Sequence, residues 1–161
     1  MKRLLLNAFA MVATVVATLV LLTAPVFAAS MSPFEAAFSG TAGFTGPTTG
    51  VYDGSGVSTK LGKATVHGEI QVIGAPACAG GFTATHSDVI TAANGEKLYL
   101  TVFEDACPVA PDSFKFHCIG TYNIIGGTGR YAEASGMGTF DGVVDFGQGQ
   151  FQASYLGLIS K

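Results

Sequence analysis

The chain has 161 residues with a formal charge of −3, eight basic residues against eleven acidic ones, 22 glycines and no tryptophan. That length holds one hydrophobic core and little more. The acidic balance argues against nucleic acid or an anionic membrane surface as a partner.

The first segment reads as an export signal. Met1-Lys2-Arg3 precedes an apolar run from Leu4 to about Leu22, and Pro25 breaks that run. Val26-Phe27-Ala28 then sets small or β-branched residues at the positions a signal peptidase requires. Residues 1–28 are therefore expected to be a cleaved secretory signal peptide, and residues 29–161 one domain, secreted or periplasmic. An uncleaved anchor is the rival reading, because the run nearly reaches the ~20 residues that span a bilayer. Without Lys2 and Arg3, six basic residues face eleven acidic ones, a charge of about −5. Beyond Ser30 no apolar run is long enough to cross a membrane, so no stable span is expected after cleavage.

From Phe34 onward, short runs rich in Val, Ile, Thr, Phe and Tyr alternate with glycine-containing breaks, the mark of a β-meander. Strands are predicted over Phe34–Ala42, Lys63–Gly74, Phe82–Ala92, Lys97–Glu104, Phe114–Ile125, Gly138–Phe146 and Phe151–Ile159. Residues 43–58, dense in Gly, Thr, Pro and Ser, read as a surface loop. Ala93-Asn94-Gly95-Glu96 predicts a hairpin with a type I′ turn, and Gly147-Gln148-Gly149-Gln150 a second tight turn. An open sheet of this many strands would leave two edges unpaired, and no helical pattern supplies a cover, so a closed antiparallel barrel is expected. A β-sandwich is the alternative. Alternation places Val66, Ile70, Val72, Phe140, Val144, Phe146, Phe151, Tyr155 and Ile159 inside.

Three patterns bear on chemistry. Gly127-x-Gly129-x-x-Ala132 formally matches a dinucleotide fingerprint, but a glycine-broken segment follows it where a helix is needed, so it is read as a strand connection pinned by Arg130 or Glu133. No cofactor is expected. His67-x-Glu69 and His86-x-Asp88 each put a base and a carboxylate on one strand face, and with His117 they could form a metal or acid–base cluster. Against a cluster, His67, Glu69 and Gln71 alternate with Val66, Ile70 and Val72, as on a solvent-facing strand surface, so no metal and no catalytic residue is assigned. Cys78, Cys107 and Cys118 leave one thiol over in an oxidising compartment. A Cys107–Cys118 bridge across the short Pro108–His117 connection is favoured, with Cys78–Cys107 as the alternative.

Gly126-Gly127-Thr128-Gly129-Arg130-Tyr131, entering Ala134-Ser135-Gly136-x-Gly138, resembles the strand-to-strand signature of the allene oxide cyclase/dirigent-like barrel superfamily, especially its short secreted bacterial members. Thr91-Ala92-Ala93-Asn94-Gly95 with Leu98 resembles a second element of those proteins. The resemblance implies an eight-stranded antiparallel barrel with a central cavity; its glycine motif (Gly126, Gly127, Gly129, Arg130) is architectural. No segment matches the acidic and polar lumen residues of the plant enzymes, so the fold carries over and the activity does not. The expected function is binding of a small apolar molecule, or a structural role in the envelope, with Tyr99, Phe103, Tyr122 and Phe140 as candidate lining residues. An isomerase or cyclase acting in the lumen is the alternative. Carboxylate or histidine groups facing the lumen would favour the enzyme.

Overall fold

The computed structural model describes residues 30–76 and 78–161. The expected signal peptide and its cleavage site lie outside them. Eight strands follow one another: β1 Ser32–Phe44, β2 Thr49–Ser58, β3 Gly62–Gly74, β4 Phe82–Ala92, β5 Lys97–Pro108, β6 Lys115–Gly127, β7 Ser135–Asp145 and β8 Gln150–Ser160. Each pairs antiparallel with its neighbours in sequence, and β8 returns to β1, so the sheet closes and no edge is left unpaired.

The strand missing from the sequence reading is β2. Residues 43–58 are not a surface loop: β1 runs on to Phe44, and Thr49–Ser58 pairs along its length with both β1 and β3. Its glycines are packing devices here rather than turn residues. A Cβ on Gly56 would strike the Ala37 carbonyl, and one on Gly54 would lie 2.7 Å from both the Phe151 ring and the Ser39 carbonyl oxygen. Gly68 on β3 likewise leaves its place to the Tyr52 ring. Glycine lets backbones and large rings approach inside a narrow barrel.

The hairpin at Asn94-Gly95 forms, with a different turn. Ala92 N–H donates to Glu96 O at 2.8 Å, and Gly95 alone has positive φ (87°), which makes a three-residue loop and not a type I′ turn. The Asn94 side chain spends its bonding on Glu96, donating from Nδ2 (2.9 Å) and accepting the Glu96 N–H (3.1 Å).

The glycine motif closes one end of the barrel. Gly126 (φ 128°) and Gly129 (φ 59°) take conformations that L side chains avoid, and a short 3₁₀ helix, Gly129–Tyr131, links β6 to β7. The turn delivers Tyr131 into a fully buried position, where its hydroxyl donates to Lys60 O at 2.6 Å. Arg130 pins the turn through Glu96, with Nε 3.0 Å from Oε2 and its backbone N–H 3.1 Å from Oε1. The partner therefore comes from the neighbouring hairpin, and Glu133 is exposed.

At the opposite end four phenylalanines meet. Phe44 stacks on Phe146 at 4.4 Å and meets Phe82 edge-on at 6.0 Å, and Phe116 closes the group against Phe82 (5.4 Å) and Phe146 (5.8 Å). Next to this mouth Cys78 bridges Cys107, with Cα atoms 5.9 Å apart. The expected Cys107–Cys118 bridge is thus incorrect. Parity is the reason: Glu104 and Ala106 point inward on β5, so Cys107 points out, whereas Cys118 on β6 is buried inside. Two cysteines on opposite faces of a sheet cannot be joined.

Candidate functional site in the barrel lumen

The inner face of β4 is Ala84, His86, Asp88, Ile90 and Ala92, all buried, while Thr83, Thr85, Ser87, Val89 and Thr91 lie on the outer side. His86-x-Asp88 is therefore in the lumen, and the solvent-facing pattern of His67, Glu69 and Gln71 does not extend to it. His67 and Glu69 do face solvent, as expected: His67 Nδ1 sits 2.8 Å from Asp53 Oδ1 on the outer face. His117 is also outside, 3.1 Å from Asp141. The barrel wall separates His86 from the other two histidines. Among the described residues no three His, Cys, Asp or Glu side chains are placed to hold one metal ion.

Around His86 and Asp88 the lumen gathers Tyr52 from β2, Glu104 from β5, Cys118 and Tyr122 from β6, Phe140 from β7 and Tyr155 from β8. Asp88 accepts two phenol hydroxyls, from Tyr52 at 2.5 Å and Tyr155 at 2.7 Å, and these hydroxyls lie 3.2 Å apart. His86 Nδ1 is 3.4 Å from the Tyr52 hydroxyl. Because Tyr52 gives its proton to Asp88, its oxygen can only accept from the imidazole, which places a proton on Nδ1. On the other side of the ring, Nε2 is 3.0 Å from Glu104 Oε1, with both side chains only 3% exposed. That approach is an ion-pair contact without an aligned hydrogen bond: neither Nε2 nor Glu104 Oε2 has a hydrogen-bonding protein partner.

The electrostatics follow from burial and from this chain. Burial pushes the Asp88 carboxyl up, and the His86 charge and the two tyrosine hydroxyls only partly offset it. Burial opposes a charged His86, yet the contact with Glu104 and the charges of Glu104 and Asp88 outweigh it, leaving the imidazole above its ordinary 6.5. Burial, reinforced by Tyr155 and Asp88, drives Tyr52 far above its ordinary 10.0. Burial also raises the Cys118 thiol, with Glu104 adding to it, and lifts Tyr122 to about 12. The carboxyl groups on either side of His86 thus favour its protonated form against the cost of burial.

Beside this chain lies a cavity of about 30 Å³, room for one or two waters, lined by His86, Glu104, Cys118, Tyr52, Phe140 and apolar side chains that include Ile70, Val144 and Phe151. It reaches Phe82 and Phe146 of the phenylalanine mouth.

Of the four residues expected to line a site, Phe140 lines the cavity and Tyr122 is buried nearby with no partner for its hydroxyl. Tyr99 is part-buried on the outer side of β5, and Phe103 is 50% exposed there. The alternation that sends Leu98, Leu100 and Val102 inward sends these two outward. Sequence reasoning did not single out Glu104 or Tyr52, and it assigned no site role to His86 and Asp88. The signal for β4 was present in the outward row Thr83, Thr85, Ser87 and Thr91. Glu104 gives no such signal, since a carboxylate in an inward register breaks the pattern that would locate it.

No protein-family model, no curated protein and no solved structure matches this chain. The functional reading therefore stands on the lumen.

Proposed function

We propose that this protein is a lumenal binder of a small, largely apolar molecule, admitted at the phenylalanine-rimmed end of the barrel. Kinship with the allene oxide cyclase/dirigent-like superfamily and export to an oxidising compartment are part of the same reading. The closed eight-stranded architecture and the Cys78–Cys107 bridge are compatible with them. The observation that carries the proposal is the cavity, apolar on most sides and continuous with Phe82 and Phe146. A molecule larger than two waters must displace part of the mouth. Phe44 is 47% exposed and held by two ring contacts, which together contribute roughly 1–3 kcal/mol, so an open state is within thermal reach.

The test is a methyl-resolved NMR titration with pentane, 1-pentanol and pentanoate. Saturable shifts at Ala42, Ile70, Val144 and Ala153 are expected from at least one of them. If none moves these resonances, the lumen is a filled core and the binding reading fails.

A second reading, an isomerase or cyclase working in the lumen, draws on one observation: His86 stands between Glu104 and the Tyr52–Asp88 pair, where it can take up and return a proton. Recovery of a co-purified ligand from protein incubated in D₂O separates the two. Deuterium on a ligand carbon indicates proton transfer, and an unlabelled ligand indicates binding alone.

A further inference from the structure

Resting on the binding reading, we infer that the lumenal ligand carries an uncharged head group that both donates and accepts a hydrogen bond, such as a hydroxyl or a primary amide, and that this head docks between His86 Nε2 and Glu104 Oε2. Three observations lead there. Both atoms are buried, both belong to residues that line the same cavity, and neither has a hydrogen-bonding protein partner. A buried donor and a buried acceptor left without partners are costly, and one group that accepts from the first and donates to the second satisfies both. A hydrocarbon satisfies neither.

Charge narrows the class further. Among the described residues the buried carboxyl and basic side chains in the lumen are His86, Asp88 and Glu104, with no buried lysine or arginine. Asp88 is already engaged by Tyr52 and Tyr155 and does not offer its oxygens to the cavity. A carboxylate head would bring a further negative charge against Glu104 with a single imidazole to balance it, so anionic amphiphiles are disfavoured. The apolar walls of the cavity, among them Ile70, Val144 and Phe151, suit the apolar remainder of the molecule.

The pentane, 1-pentanol and pentanoate trio tests the head group at constant tail length. Wild-type protein is expected to bind the alcohol about ten-fold more tightly than the alkane, as two modest hydrogen bonds would give, and the carboxylate at neutral pH more weakly than the alcohol. A double variant, His86→Phe with Glu104→Leu, removes both polar partners together, so Glu104 is not left facing an apolar ring, and Asp88 keeps its bonds from Tyr52 and Tyr155. It should bind the alkane at least as well as wild type and lose the preference for the alcohol. Equal affinity for alkane and alcohol in wild type, or carboxylate binding as tight as alcohol, overturns the head-group inference while leaving lumenal binding intact. Absence of binding by all three removes the binding reading itself. If the double variant does not fold, the wild-type ratios still decide.

Discussion

Replacing Tyr155 by Phe isolates the central hydrogen bond of the lumen. The ring is fully buried against Phe38, Tyr122 and Phe140, at 6.1, 5.6 and 5.2 Å, and phenylalanine keeps those contacts. What is lost is the hydroxyl, which donates to Asp88 at 2.7 Å. A hydrogen bond to a charged acceptor contributes roughly 1.5–3 kcal/mol, and a buried carboxylate left with one phenol instead of two has no solvent to replace the other. The expected loss is about 2 kcal/mol, or roughly 6–8 °C in Tm for a domain of this size. Tyr122→Phe is the matched control. That hydroxyl is buried without a partner, so its removal should be neutral or slightly stabilising. Urea unfolding at neutral pH, followed by far-UV circular dichroism, measures both through the midpoint at constant slope. Equal midpoints for the two variants, or a Tyr155→Phe loss below about 0.5 kcal/mol, would refute the assignment of Asp88 as a hydrogen-bonded carboxylate.

Two further outcomes follow from the same structure. His86 lies above its ordinary 6.5, so the folded chain holds that proton more tightly than the unfolded one. Its contribution is fully present below 6.5 and is lost as pH rises through the higher folded value, so the urea midpoint should fall as pH rises above 6.5; a midpoint that rises instead contradicts the His86–Glu104 pairing. The Cys78–Cys107 bridge closes a separation of 29 residues, worth roughly 3–4 kcal/mol by chain entropy. Non-reducing peptide mapping should link these two, and the Cys78→Ser/Cys107→Ser variant should lose about that much, whereas a linked Cys118 would refute the register of β5 and β6.

Closure of the sheet was readable from the meander and the absence of helical periodicity, and most of the interior was readable from alternation: Val66, Ile70, Phe140, Phe151, Tyr155 and Ile159 are all buried. Strand β2 was not, because Gly50, Gly54 and Gly56 look like loop residues until the rings and carbonyls that occupy their missing side chains are known. The polar lumen was obscured for a related reason. His67-x-Glu69 and His86-x-Asp88 are the same pattern on adjacent strands, and composition alone does not say which face each takes. The flanking rows decide: Val66 and Ile70 are buried beside His67, while Thr85 and Ser87 flank His86 on the outer side. The two sites should therefore respond oppositely to one perturbation. His67→Ala removes an exposed contact with Asp53 and should change stability by no more than about 0.5 kcal/mol. His86→Ala opens space in the core and strands Glu104 without its counter-ion, and should cost about 3–5 kcal/mol. Urea titration of both variants near pH 6 compares them directly. Similar losses would mean that His86 is not a lumenal residue, and the site proposed around it would fall with it.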